Sequence, residues 1–324
     1  MKKPVVVIGA GISGVMAASI VRENGFDHIV VLDKGRSVGG RMATRRIDEG
    51  KVDHGAQFMT VRTEIFQSYV EKWENQDLVS EWFGDPYPRY KGNEGMNSIV
   101  KKLAEQLPVK LNTKVVSVQQ EKADYLIQTD NGERMEARGI ILTAPAPQSL
   151  DMIQHLEIGE YEKQQLEAIT FNPCFVLLIT LNQSSQLPES GYRIDDLPDG
   201  IERIVDHQKK GISSIPTVCV YSTGEWAKTH DELTEEEIRH ILLEKIKGII
   251  SAEHIIDIQH KRWRYSEAIS TVSEPFLDLK LEKPFLIAGD AFLTKNDISG
   301  RTRIESAFLS GLAAGQEMVN RLKE

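Results

Sequence analysis

Two short apolar runs open the chain, Val5-Val6-Val7-Ile8 and Ile29-Val30-Val31-Leu32, and between them Ile12, Val15, Met16 and Ile20 recur at helical spacing. Unbroken apolar runs of this length read as strands buried on both faces, and the i, i+3, i+4 spacing reads as a helix over residues 12–24. The start is therefore a strand, a helix and a parallel strand. Met96, Ile99, Val100 and Leu103 predict a second helix over 95–106, stopped before Pro108. Residues 114–118, 125–129 and 133–137 alternate as strands, with Asp130-Asn131-Gly132 as a hairpin turn. A buried strand follows over 139–143, ending at Ala144-Pro145. Strands of another sheet are expected over 175–181, 201–205 and 217–222, then a helix over 234–247 with Thr234-x-x-Glu237 as its capping box. Pro284-Phe285-Leu286-Ile287 brings the chain back as a strand before a long last helix over 304–322.

The turn between the first strand and helix reads Gly9-Ala10-Gly11-Ile12-Ser13-Gly14, and Asp33 closes the second strand nineteen residues beyond Gly14. This spacing predicts a dinucleotide grip: Gly9 for the tight turn, Gly11 for the approach of a pyrophosphate, Gly14 for close helix packing, and Asp33 for an adenosine ribose. NAD and FAD both use such a grip. Downstream, residues 34–46 carry five basic side chains and three glycines, a composition suited to phosphate.

Composition sets limits on partners. The chain has 324 residues, 40% apolar and 27% charged, with a formal charge of −9. That balance argues against nucleic acid and against anionic membranes as partners, and no apolar run is long enough to span a bilayer. Residues 2–21 imitate a secretory signal, but cleavage there would remove the nucleotide grip. Cys174 and Cys219 are far apart in apolar contexts, which predicts core thiols and a reducing, cytoplasmic setting. No histidine spacing suggests a metal site.

Gly39-Gly40-Arg41-Met42-x-x-Arg45 after the ribose acid, then Val52-Asp53-His54-Gly55-Ala56-Gln57-Phe58, resembles the FAD-binding start of the flavin amine oxidase superfamily. Ala43-Thr44-Arg45-Arg46 and the Asp-x-Gly-Ala-Gln-Phe run look most like its renalase branch. Tyr90-Lys91-Gly92, Gly95-Met96, Trp263-Arg264-Tyr265, Ala288-Gly289-Asp290 and Glu305-x-Ala307-x-x-Ser310-Gly311 follow in family order. The resemblance implies an α/β fold: a Rossmann-like FAD-binding domain joined to a second, α+β substrate domain, as in p-hydroxybenzoate hydroxylase and amine oxidases. Residues 1–72, 91–155 and 262–324 would form the first, and 73–90 with 156–261 the second.

The resemblance also implies FAD, held non-covalently because neither cysteine lies near the C-terminal flavin segment. Its expected contacts are Gly9, Gly11, Ile12, Ser13, Gly14, Asp33, Lys34, Gly40, Arg41, Met42, Ala56, Gln57, Val115, Thr143, Asp290, Arg303 and Ile304. The positive end of the last helix would face the flavin and favour its reduced anion.

Renalase-like enzymes oxidise the 2- and 6-dihydro isomers of NAD(P) and pass electrons to dioxygen, giving peroxide. Such a substrate needs positioning more than a base. Strand alternation puts Trp263 and Tyr265 on one face, either of which could stack on the ring, and Arg264 on the other, and Arg262 or Arg264 could meet the phosphates. Gln57 could bond a carboxamide, and His54 lies beside it, with structural hydrogen bonds as the competing role for both. Amine or polyamine oxidation stays open, weakened because no tyrosine precedes Ser310-Gly311; so does a non-catalytic flavin scaffold or redox sensor. Two departures from the pattern are the long polar connection 295–303 and Ser306 where a glycine is usual.

Overall fold

The computed structural model describes residues 3–121, 124–297 and 299–324. A six-stranded sheet carries the first lobe, in the order Leu277–Asp278, Phe285–Ile287, Gly139–Leu142, Val5–Ile8, Ile29–Leu32 and Val109–Lys110. All neighbours are parallel except the first pair. Its four central strands are short, fully buried apolar runs because each is covered on both faces. One face packs helices Ile12–Glu23, Glu64–Asn75, Met96–Ala104 and Ile304–Lys323. The other packs a three-stranded antiparallel sheet (Val115–Glu121, Asp124–Thr129, Arg134–Ala137) and helices Ala146–Ile153 and Glu160–Glu167.

The first and last helices lie in close contact, and glycines on the last one make this possible. A Cβ on Gly311 would sit 2.1 Å from the Ser13 carbonyl oxygen, and one on Gly315 would sit 2.8 Å from that of Ala17. At the grip itself, Gly9 has φ +109°, and a Cβ on Gly14 would fall 1.9 Å from the Gly9 oxygen. Both positions exclude a side chain.

The second lobe is a five-stranded antiparallel sheet in the order Tyr192–Arg193, Ile201–Asp206, Thr217–Ser222, Phe171–Leu181 and Ile255–Ala268. Helix Glu235–Ile246 covers one face, and its Thr234/Glu237 capping box forms as expected. The opposite face meets the hairpin Thr44–Ile47/Gly50–Asp53, so Ile47 and Val52 share a core with Cys174, Val176, Leu178, Cys219 and Tyr221. Both cysteines are thus buried where the lobes join, and burial pushes the Cys174 thiol up to about 12.

Several expected boundaries shift. The division at 261/262 falls inside strand Ile255–Ala268, which pairs along its length with Phe171–Leu181, so residues 262–268 belong to the five-stranded sheet. The division at 72/73 cuts helix Glu64–Asn75, which has a Thr63 N-cap and buries Phe66, Val70 and Trp73 in the first lobe. Leu156, Leu166 and Ile169 also pack with the parallel sheet, so the segment after 155 continues the first lobe.

Candidate active site

A cavity of about 340 Å³ opens between the lobes. Two helix N-termini end on it: Gly11, Ile12 and Ser13 at the start of the first helix, and Arg303 and Ile304 at the start of the last. Each end presents unpaired backbone N–H groups and partial positive charge. No side chain caps the first helix, and the Ser13 hydroxyl is buried without a partner. A Cβ added to Gly11 would meet nothing within 4 Å, so the absent side chain leaves open space inside the cavity rather than relieving a clash. An uncapped N-terminus, an orphaned hydroxyl and a bare backbone suit a pyrophosphate.

Around this end the sequence-predicted residues gather as a set. Arg41, Met42, Ala56, Gln57, Thr143, Asp290, Arg303 and Ile304 line the cavity with the helix starts. Arg41 and Asp290 form a two-pronged ion pair, Nη1 to Oδ2 at 2.7 Å and Nη2 to Oδ1 at 2.5 Å. Ser306, the departure from glycine, joins the start of the last helix to the Asp290 loop: its Oγ accepts from Arg303 N at 2.8 Å and donates to Asp290 O at 3.1 Å. Glu305 is buried and accepts from the backbone of Arg62 and Thr63 and from the Thr63 hydroxyl. Within the polar connection, Arg303 bonds Asp297 at 2.6 Å.

Gly9, Gly14, Asp33, Lys34, Gly40 and Val115 lie outside the cavity wall. Gly9, Gly14 and Gly40 shape the turn behind it; Gly40 has φ +53°, and a Cβ there would stand 3.5 Å from the Gly11 Cα. Asp33, at the C-terminal end of its strand, accepts from Ala10 N at 2.7 Å and Gly35 N at 2.6 Å. A carboxylate has about four acceptor positions, so it keeps capacity for a ribose hydroxyl. Lys34 is exposed and donates to Gln148. Val115 is buried at the start of its strand.

The other end of the cavity joins the expected Gln57 and Trp263 to residues the sequence did not single out, Glu202, Arg203 and Tyr221. Gln57, Phe58, Glu202, Arg203, Tyr221 and Trp263 line it. Behind Gln57 sits a wholly buried lysine, Lys210, whose Nζ donates to Asp53 Oδ2 at 2.7 Å, to Gln57 O at 2.6 Å and to Gln57 Oε1 at 3.0 Å. Gln57 Nε2 donates to Asp53 O at 2.5 Å and to the Tyr221 hydroxyl. Asp53 Oδ1 accepts from Thr44 and Met96 N. All polar atoms of the Gln57 amide are therefore engaged by the protein, and the side chain forms a fixed wall. Burial pushes the Lys210 ammonium down, and Asp53 opposes that shift.

His54 is buried, stacks on Trp263 at 5.4 Å and accepts the Trp263 indole N–H on its backbone oxygen at 2.7 Å. Burial, then Arg45 and Lys261, hold its ring down to about 4, so it is neutral near pH 7. It supports Trp263 from behind and does not line the cavity.

The expectation that Trp263 and Tyr265 share a face fails. Strand Ile255–Ala268 is in register at Cys174↔Trp263 and Asn172↔Glu267, which leaves three residues opposite Pro173. Proline offers no N–H to the ladder, and the strand bulges there. Trp263 consequently reaches the cavity, Tyr265 packs edge-on against Phe171, Arg264 is exposed, and Ser266 and Glu267 line the wall in their place.

Every aromatic ring on the cavity wall carries a cation of this chain. Arg89 lies 5.3 Å from the Phe58 ring centroid, Arg203 4.6 Å from Tyr221 and Lys261 5.0 Å from Trp263. Arg203 also pairs with Glu202 at 3.0 Å. Among the described residues, no helix is long and apolar enough to cross a membrane.

Comparison with known proteins agrees with this architecture. Residues 7–72 match the NAD(P)-binding Rossmann-like domain, and residues 68–319 match the family of flavin containing amine oxidoreductases. Mouse (Mus musculus) renalase is 25% identical, covering 91% of this chain and 94% of its own. Among solved structures, a redesigned putrescine oxidase aligns with TM-score 0.72 at 13% identity, covering 99% of each chain. A fatty acid isomerase from P. acnes that produces CLA aligns with TM-score 0.62 at 12% identity, over 82% of this chain and 87% of its own. Together with the two-lobed fold and its nucleotide grip, these matches place the chain in the flavin containing amine oxidoreductase family, as a renalase-like flavin-dependent oxidoreductase.

Proposed function

We propose that this chain binds FAD non-covalently and oxidises dihydronicotinamide isomers, the 2- or 6-dihydro forms of NAD(P), with dioxygen as the final acceptor and hydrogen peroxide as product. In this reading FAD, when bound, would supply the two-electron chemistry that links the substrate ring to dioxygen. The chain's own residues bind and orient. The Gly11 to Ser13 turn receives the pyrophosphate, Asp33 the adenosine ribose and Asp290, fixed by Arg41, a ribityl hydroxyl. Lys34, Gly40 and Val115 flank the adenosine end, while Met42, Ala56, Thr143, Arg303 and Ile304 border the ring end. The cavity wall includes no cysteine, which supports a non-covalent flavin.

One observation carries the substrate reading: the three aromatic rings at the substrate end are each already met by Arg89, Arg203 or Lys261. An ammonium entering there would find ring faces that would otherwise attract it occupied by like charge. A dihydronicotinamide is a neutral ring and needs only a shaped wall, which Trp263, braced by His54, and the immobilised Gln57 provide. Hydride loss from such a ring restores aromaticity, so no protein base has to remove a proton first.

Glu202 and Glu267 on the same wall are the feature that favours an amine instead. Glu202 is paired with Arg203, and burial raises the pKa of the Glu267 carboxyl, which makes no ion pair among the described residues and is the group an ammonium would meet. The test is anaerobic mixing of the flavin-loaded protein with each dihydronicotinamide isomer and with a panel of amines. Bleaching of the flavin by an isomer, with peroxide on admitting oxygen, is expected. Bleaching by amines alone would overturn the reading.

A further inference from the structure

Glu202 and Arg203 are neighbours in sequence, yet both line the cavity. In a regular strand they would point to opposite faces. Their strand is not regular here: Ile201 stands opposite Ser222 and Arg203 opposite Tyr221, so Glu202 is an extra residue on its side of the ladder. The cores record the shift. Ile201 and Ile204 pack on the same face, under helix Glu235–Ile246, while Tyr221, the partner of Arg203, packs on the face that meets the hairpin. A bulge re-aims side chains in this way.

The two side chains form an ion pair that leaves part of each partner free. Arg203 Nη1 donates to Glu202 Oε1 at 3.0 Å, and the guanidinium lies 4.6 Å from the Tyr221 ring centroid. The Tyr192 hydroxyl is a further neighbour of Arg203. A guanidinium has more N–H donors than these partners take, and among the described residues no hydrogen bond engages Glu202 Oε2. Both side chains also keep open surface, 26% for Arg203 and 44% for Glu202. A donor and an acceptor are thus available side by side on one cavity wall.

Charge decides which group fits such an edge. A carboxylate would gain from Arg203 and be repelled by Glu202, and an ammonium the reverse, so each meets one partner of like sign. A primary carboxamide has an acceptor oxygen, N–H donors and no net charge, and it satisfies both. Trp263 stands on the same face of the sheet, beyond the strands that carry Tyr221 and Cys174, so a ring placed toward Trp263 turns an edge to Arg203.

We propose that Glu202 and Arg203 read the carboxamide of the substrate, Arg203 donating to its carbonyl oxygen and Glu202 accepting from its NH2 group, so that the site selects a ring amide over the matching acid. The proposal rests on the dihydronicotinamide reading above and adds the residues that set specificity at the ring. The pyrimidine edge of a flavin offers the same mix of donor and acceptor, so the test separates the two.

Nicotinamide, N,N-dimethylnicotinamide and nicotinate, none of them a hydride donor, are titrated into the flavin-loaded wild type and into Glu202→Gln and Arg203→Met, with the flavin absorbance band as readout. Flavin affinity is measured in parallel. The wild type is expected to bind nicotinamide about tenfold or more tighter than either analogue. In Glu202→Gln the guanidinium loses its counter-charge, and nicotinate should gain about tenfold or more. Arg203→Met should weaken nicotinamide by about tenfold without any gain for nicotinate. A purely structural role would weaken all three ligands alike and would not favour the acid. Equal binding of amide and acid by the wild type, or nicotinate affinity unchanged in Glu202→Gln, overturns the proposal. So does a loss of flavin affinity in the variants with the wild-type order of ligands, which would give the pair to the flavin. Should the order change as expected while no dihydronicotinamide isomer bleaches the flavin, the pair stands and the redox reading of the preceding subsection fails. Should an isomer bleach the flavin while the order stays fixed, the proposal for the pair fails alone.

Discussion

Lys210 Nζ lies 2.7 Å from Asp53 Oδ2, and neither side chain has any solvent exposure. The pair links the two lobes, because Asp53 ends a strand of the hairpin that follows the nucleotide grip and Lys210 follows a strand of the five-stranded sheet. Two further bonds from the same ammonium hold Gln57 against the cavity. Removing one member of such a pair leaves the other charged and buried. Lys210→Met is therefore expected to lower stability by about 3–5 kcal/mol. Adding Asp53→Asn to it should cost less than the sum of the two single changes, by about 1 kcal/mol or more. Denaturant unfolding of the flavin-loaded protein measures both. Strict additivity would mean that the two residues do not act as a pair.

Gly11 and Gly14 belong to one motif but make opposite predictions. Gly11 has extended backbone, φ −72° and ψ 176°, and a Cβ there meets nothing of the protein within 4 Å. Gly11→Val should fold with a stability change within about 1 kcal/mol and yet lose its flavin, since the added carbons occupy the space assigned to the pyrophosphate. Gly14→Ala should instead destabilise the fold itself by about 3 kcal/mol or more, because its Cβ would lie 1.9 Å from the Gly9 carbonyl oxygen. Thermal melting and visible absorbance of the two purified variants separate the cases. A yellow Gly11→Val protein with native flavin content would remove the cofactor assignment.

His54 supplies a pH dependence whose direction follows from burial. Its folded-state pKa is held down to about 4, against roughly 6.5 in an unfolded chain. The unfolded state thus binds the proton more readily, so this stabilisation is complete above about pH 6.5 and is lost as the pH falls toward 4. The loss from this group is at most on the order of 3 kcal/mol. His207, also buried and held down to about 3, titrates in the same direction. In His54→Gln the slope of stability against pH between 4 and 6.5 should fall by about one proton's worth, ~1.4 kcal/mol per pH unit at most. An unchanged slope would show that His54 is protonated in the folded protein over that range.

The contrast between Gly11 and Lys210 marks what could be read from the chain alone. The glycine grip, the parallel strands and Asp290 were legible because each is encoded by local spacing or by an unbroken apolar run, and the parallel sheet buries such runs on both faces. Lys210 was not, since its partner stands 157 residues away and Lys209-Lys210-Gly211 reads as an ordinary surface turn. Tyr221 was hidden in the same way by the apolar strand that carries it, although a hydroxyl inside a buried strand does call for a partner. The misplacement of Tyr265 has a local cause. Pro173 cannot complete the ladder with the strand opposite it, and a register argument that weighed Pro173 would have expected the bulge. The boundaries at 72, 155 and 261 failed because helices and strands run through them to cores formed by distant segments.

Arg41, in the short helical turn Gly40–Met42, and Asp290 stand 249 residues apart in sequence, and both line the cavity with their two-pronged contact. Each holds the other in place, so the carboxylate proposed to meet a ribityl hydroxyl is only as well oriented as the guanidinium behind it. Asp290→Ala removes that acceptor and frees Arg41. Flavin affinity should fall about tenfold or more, as loss of a charge-assisted hydrogen bond of about 1.5–3 kcal/mol requires. Arg41→Lys retains the charge but cannot make the planar two-pronged contact, and should weaken the flavin in the same direction by a smaller factor. Reconstitution of the apoprotein with FAD, followed by flavin fluorescence, gives both affinities. If Asp290→Ala binds as tightly as the wild type while Arg41→Lys does not, the arginine acts on the flavin without help from the carboxylate, and the ribityl contact assigned to Asp290 is wrong.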